Sequence, residues 1–278
     1  MTGAVADAGA EPFFLPAGGG QRFCLYHPPY SGARPRGALI YVHPFAEEMN
    51  RSRRMAALQA RAFAAAGLAV LQIDLLGCGD SSGDFGDARW ALWKEDLALA
   101  WHWLAERAPG PIGLWGLRLG ALLALDFARE TRRPVERLLL WQPVISGEVF
   151  VTQFLRLRLA SEMLLGLADK PAGTREIRNA LAAGETVEVA GYALAPELVA
   201  GIDALRLADL AVAGMPVHWF EIASEGMRQP PAAAQVVEAW RRQGAELHLH
   251  PVTGDRFWAL AESTPGPALL AATTSIFA

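Results

Sequence analysis

Residues 114–122 read "LWGLRLGAL". One short apolar run enters this stretch and another leaves it. It therefore reads as strand, sharp turn and helix, the outline of the G-x-S-x-G nucleophile elbow. Gly116 and Gly120 occupy the two glycine positions, and Arg118 stands where the serine would be. Either a hydrolytic scaffold uses other residues here, or the scaffold serves another purpose.

Outward from the elbow, apolar runs alternate with segments of helical period. "GALIYVHPF" and "LAVLQIDLLGCGDSSG" read as buried strands, the second running into a glycine-rich loop. Between them "RRMAALQARAFAAAG" is a helix that Gly67 is placed to end. In "ARWALWKEDLALAWHWLAE", Trp90, Trp93, Leu97, Trp101 and Leu104 recur every three or four residues, as on one face of a helix. "PIGLW" and "RLLLWQPVI" are further strands, before and after the elbow helix. Such alternation implies a mostly parallel sheet with helices on both faces.

From residue 146 to about residue 210 the rhythm changes to helical character, with "VTQFLRLRLASEMLLGL" and "AGIDALRLADL" as helices. The next strand, "MPVHWFEI", comes far later than a single crossover requires. The excess reads as a helical cap inserted over the sheet, with residues 1–10 a flexible tail and 11–278 one domain. The arginines of "FLRLRLA" also allow a membrane-surface reading, but a cap packed on its own core is preferred. The rhythm resumes with the helix "AAAQVVEAWRRQG" and the strand "AELHLHPV".

Composition narrows the class. The chain has 278 residues, 52% hydrophobic and 19% charged, which fits a globular protein with a large core. A net charge of −4 offers no electrostatic reason to expect nucleic acid. Two cysteines, Cys24 and Cys78, cannot build a disulfide framework and suit a reducing compartment. Neither a signal peptide nor a transmembrane segment is read, so a cytoplasmic protein is expected. No metal and no cofactor is expected.

Three motifs in order match the α/β-hydrolase fold: "YVHPF" (41–45) at its oxyanion loop, "DLLGCGDSSG" (74–83) at its D-x-x-G-x-G-x-S turn, and "GLRLG" at the elbow. Gly77 and Gly79 also suggest a dinucleotide fingerprint, but the third glycine, Gly83, falls one residue too far along. A serine elbow needs a histidine base and an acid behind it. Glu225, after "PVHWFEI", stands where the acid would be. The histidine turn after the last strand reads Gly254, Asp255, Arg256, Phe257. Serine and histidine are thus both replaced. Ser82, Cys78 and His250 are the candidates for a relocated nucleophile or base, although turn roles suit Ser81, Ser82 and Ser146, and packing suits His248 and His250. His43 and Phe45 belong to the oxyanion loop. Pro44 has no N–H to give there, which leaves Phe45 and Leu119 as donors.

Arg118 itself admits two readings. It is locked by an internal acid such as Glu47, Glu48, Glu225 or Asp255, or it joins the helix N-terminus in holding an anionic ligand. An apolar cap would favour an acyl ligand.

The runs "EPFFLPAGGGQRFCLYHPP", "YVHPFAEEMNRSRRMAALQARAFAAAG", "LQIDLLGCGDSSGDFGDA", "LWGLRLGALLA", "LLLWQPVISG" and "TQFLRLRLA" occur in order. In them the chain resembles the second type of hydrolase associated with the bacterial exosortase A system, over about residues 11–260. The resemblance implies an α/β-hydrolase-superfamily protein of the bacterial cytoplasm. Its setting would be exosortase, which sorts proteins with a C-terminal anchor, and exopolysaccharide synthesis, whose proteins are candidate partners. Two functions are expected from these readings: a binding protein for an acyl or anionic ligand that lacks the usual triad, or an esterase or thioesterase with a displaced nucleophile.

Overall fold

The most apolar runs of the chain form the middle of one sheet. A computed structural model describes residues 9–30, 34–164, 173–223, 231–260 and 266–277. Strands β1 (Glu11–Ala17), β2 (Gly20–His27), β3 (Ala38–Val42), β4 (Ala69–Ile73), β5 (Ile112–Leu117), β6 (Val135–Trp141), β9 (Val217–Ala223) and β10 (Leu247–Thr253) lie in the order β1-β2-β4-β3-β5-β6-β9-β10. From β4 to β10 all neighbours are parallel, while β1 and β2 form an antiparallel edge. Every residue of β3 and β5 is buried, as strands covered on both faces require.

Alternate residues of each strand feed two cores. On one face Ile40, Val42, Leu114, Leu138, Leu140 and Trp219 pack against α2 (Trp90–Arg107), α3 (Leu119–Glu130) and α7 (Pro231–Arg242). On the other, Leu39, Tyr41, Trp115, Trp141 and Phe220 meet α1 (Glu47–Ala65) and α8 (Pro267–Thr274). The tryptophan stripe of α2 faces inward, and the indoles of its first two members are satisfied: Trp90 Nε1 donates to Asp126 at 2.8 Å and Trp93 Nε1 to the Leu76 carbonyl at 3.0 Å. Gly67, with φ 86°, lies just beyond the end of α1, where the Leu68 N–H reaches back to the Phe63 carbonyl. No helix among the described residues is long and apolar enough to cross a membrane.

Between β6 and β9 lie α4 (Gly147–Leu164), α5 (Thr174–Ala182), a two-stranded hairpin of β7 (Val187–Val189) and β8 (Tyr192–Leu194), and α6 (Pro196–Asp203). The hairpin is absent from the sequence expectation, and the helix expected over residues 200–210 stops at Asp203. The reason is local. Gly147 N–H bonds the Leu205 carbonyl and Leu207 N–H the Ile145 carbonyl, forming a bridge at Ser146 and Arg206 that pins the two ends of this segment together. Extended backbone at Arg206 is needed for that bridge, so the helix cannot continue. The segment's apolar residues, including Phe150, Leu155, Val189 and Leu198, are continuous with the α2 core through Phe45, Trp90 and Trp93. Residues 1–8 of the expected tail lie outside the described residues.

Candidate functional site

At the end of β5 the chain turns sharply into α3, and Arg118 takes the turn with φ 56° and ψ −117°. Side chains larger than hydrogen are excluded on either side of it. A Cβ on Gly116 would lie 2.5 Å from Ala121 Cα, and one on Gly120 would meet the Val42 and His43 carbonyls. Two more non-glycine residues adopt positive φ near the carboxyl ends of adjacent strands: Ala46 after β3 (50°) and Gln142 after β6 (43°). Strain of this kind persists only where the surroundings over-determine it. For Gln142 they do. Its side chain accepts from Ile222 N–H at 2.6 Å and donates to Glu221 Oε1 at 2.9 Å, while Trp219 Nε1 satisfies Glu221 Oε2 at 2.8 Å.

The Arg118 side chain reaches Glu48 on the first turn of α1, Nε to Oε1 at 3.3 Å, with each side chain about one-fifth exposed. Its guanidinium carbon also lies 5.4 Å from the Trp258 ring centre and 5.9 Å from that of Phe150, within range of cation–π attraction. Among the described residues neither terminal nitrogen of Arg118 has a hydrogen-bond partner. Glu48 is incomplete as well: its Oε2 is buried and accepts no hydrogen bond. Burial pushes the Glu48 carboxyl above the usual range, against the opposing pull of Arg118.

This pair lines a cavity of about 580 Å³ whose other walls include Phe45, Phe150, Gln153, Phe154, Leu157, Tyr192 and Trp258, with Glu47 and Arg51 at its polar end. Tyr192 OH donates to Glu47 Oε2 at 3.1 Å. A second cavity, of about 280 Å³, also touches Arg118 and includes Gln142, Ser146 and Glu221. Phe45 and Leu119 also share a void of about 10 Å³, and among the described residues neither backbone N–H is bonded.

The remaining candidates are placed as follows. His43 is buried. Its Nε2 accepts the Leu75 N–H at 3.2 Å, so the proton sits on Nδ1, which donates to the Pro44 carbonyl at 2.8 Å. Burial lowers its proton affinity, and both nitrogens are occupied. Cys78 is buried in the loop after β4, where desolvation, then Asp74 and Asp96, raise its pKa and keep it a thiol. Ser82 Oγ accepts the Gln21 N–H at 3.0 Å and Ser81 Oγ that of Phe23 at 2.9 Å, so both tie the loop to β2. His250 lies on β10 against His218, Nε2 to Nδ1 at 3.1 Å, and stacks on Phe220. Neither Ser82, Cys78 nor His250 lines a cavity with Arg118. Asp255 is exposed and is not the partner of Arg118; its turn brings Trp258 to the cavity instead. Glu225 lies outside the described residues. No group of three or more His, Cys, Asp or Glu among the described residues is placed to hold a metal ion.

Sequence reasoning named Glu48 as one of four acids, and missed Phe150, Tyr192 and Trp258. These come from segments far apart in the chain, and the turn read as Gly254 to Phe257 stops one residue short of Trp258.

A parallel sheet covered on both faces, an antiparallel edge, and a strained turn between β5 and α3 define an α/β-hydrolase fold. Residues 33–209 match the family model described as serine aminopeptidase, S33, and the chain belongs to that family of α/β-hydrolases. No curated protein sequence matches the chain. Solved structures share the fold at low identity. Est1E from Butyrivibrio proteoclasticus, with ferulic acid bound, is 17% identical with a TM-score of 0.67, covering 95% of this chain and 96% of that one. A hydrolase from Agrobacterium vitis S4, titled as putative, is 18% identical at a TM-score of 0.62, with 97% and 99% covered. A soluble variant of monoglyceride lipase from Saccharomyces cerevisiae, in complex with a substrate analogue, is 13% identical at 0.62, with 99% and 97% covered.

Proposed function

We propose that this α/β-hydrolase-family protein binds an acyl or anionic ligand in the cavity at its elbow and does so without a serine triad. The observation that carries this reading is Arg118: a part-buried guanidinium whose terminal nitrogens are both uncommitted among the described residues, in a cavity walled mainly by aromatic and aliphatic side chains. A cation at a helix N-terminus is disfavoured by about 0.3–1 kcal/mol, so local stability does not account for it. Glu48 supplies one carboxylate, to Nε alone, and leaves the terminal nitrogens for a second carboxylate or a phosphate. Residues 146–210 would act as the cap over this cavity. The resemblance to the exosortase-associated hydrolases supports a bacterial, cytoplasmic setting beside exopolysaccharide synthesis, with proteins of that system as partners.

A second reading has its own observation. The unbonded N–H groups of Phe45 and Leu119 suit an oxyanion, which supports an esterase or thioesterase with a displaced nucleophile. Turnover of a panel of aryl esters and acyl thioesters by the protein and by Arg118→Ala separates the two. The binding reading expects no turnover from either. Turnover abolished in Arg118→Ala would make this an enzyme that uses its arginine, and turnover untouched by it would point to a relocated nucleophile such as Ser82 or Cys78.

A further inference from the structure

The polar end of the elbow cavity is electrically balanced, with Glu47 and Glu48 facing Arg51 and Arg118. An incoming anion therefore finds no spare positive charge unless one acid gives up its own. Glu47 is committed to Tyr192 and lies near Arg51, its Oε1 3.9 Å from Arg51 Nε. Glu48 is the exception. Among the described residues only one of its oxygens is engaged, by Arg118, and the other is buried with no donor.

We propose that the ligand is an acyl-chain carboxylate, and that Glu48 takes up a proton from solvent as it binds. This rests on the binding function proposed above. The ligand carboxylate replaces Glu48 as the counter-ion of Arg118, using the two free terminal nitrogens. Left ionised, Glu48 would then be a carboxylate deprived of its cation beside a second anion, which is strongly unfavourable. Protonated, its Oε2 becomes a donor to the ligand, so the orphaned atom gains a partner. No covalent bond changes; one proton passes from solvent to Glu48. The apolar chain lies among Phe45, Phe150, Phe154 and Trp258. Burial of Glu48 already favours its neutral form, which lowers the cost of the step. The ionisable groups around it are Arg118 from the elbow, Arg51 and Glu47 from its own helix, and Tyr192 from β8. Asp255 and Arg256, on the turn that carries Trp258, are exposed and outside the cavity lining.

Calorimetric titration with decanoate, in buffers of different ionisation enthalpy, counts the protons. At about pH 6 and about pH 8 the probe is ionised, because carboxylic acids titrate near pH 4. The protein should take up protons on binding, approaching one per decanoate at the higher pH, with affinity falling toward tenfold per pH unit. Glu48→Gln should bind decanoate with no proton uptake and more tightly than the wild type at the higher pH. Circular dichroism and thermal unfolding establish that the variant is folded. Decanoate binding to the wild type without proton uptake would overturn the role of Glu48 and leave the binding function standing. So would unchanged uptake in Glu48→Gln, or loss of binding in a folded Glu48→Gln. A wild-type protein that does not bind decanoate would overturn the ligand assignment itself, and binding unaffected by Arg118→Ala would overturn the binding function at this site.

Discussion

Arg118 sits at the positive end of a helix dipole, in left-handed backbone, and is held there by Glu48 and two aromatic rings. The glycines on either side leave the room that this turn needs. Gly120 is pressed against the Val42 and His43 carbonyls, and backbone atoms cannot yield as a flexible side chain does. Gly120→Ala should therefore cost about 1–3 kcal/mol or more, the usual cost of overpacking. Gly9→Ala is the control: nothing lies within 4 Å of a Cβ there and its φ is ordinary, so it should stay within about 0.5 kcal/mol of wild type. Urea unfolding measures both. An equal effect at the two positions would mean that close approach does not shape the elbow. Residue-level chemistry was readable in advance here, because two glycines four positions apart, from a strand's end to a helix's first turn, leave few other conformations. The partner of Arg118 was not readable beyond a short list, because four acids at three places in the chain satisfied the same charge requirement.

At the level of elements, long apolar or periodic segments were legible and short or edge segments were not. β1 contains Pro12 and Pro16, which are tolerated at a sheet edge and disguise it as a loop. β7 and β8 have three residues each, too few for a two-residue period to show. The last two strands were legible, but their edge carries an unforeseen device. His248 and His250 on β10 stack with His218 on β9, at ring separations of 4.8 and 5.4 Å. Burial, then the neighbouring imidazoles His248 and His250, lower the His218 pKa from 6.5 to about 4. Because the folded pKa lies below the unfolded value, His218 favours the native state fully above about pH 6.5. As pH falls from there toward 4, the unfolded chain binds a proton that the folded chain rejects, and stability declines. Thermal unfolding between about pH 7 and about pH 4.5 should show this decline, and His218→Asn should make it shallower. An identical slope in the variant would remove the imidazole stack from the explanation.

For the molecule as a whole, the fold was legible from rhythm alone, since alternating strands and helices admit few topologies. The cavity was not, because it is assembled from the loop after β3, the first turns of α1 and α4, the β7–β8 hairpin and the turn after β10. Sequence distance hides such convergence. The same arrangement makes the elbow arginine the point where the fold's usual chemical position, the aromatic walls and the balanced charges meet. The most direct test is the affinity for decanoate at about pH 7 of the protein and of Arg118→Ala, by calorimetry. Losing charge-assisted hydrogen bonds worth about 1.5–3 kcal/mol should weaken binding by about 10- to 100-fold. Equal affinities in two folded proteins would mean that Arg118 does not hold the ligand, and the account of the site would be wrong.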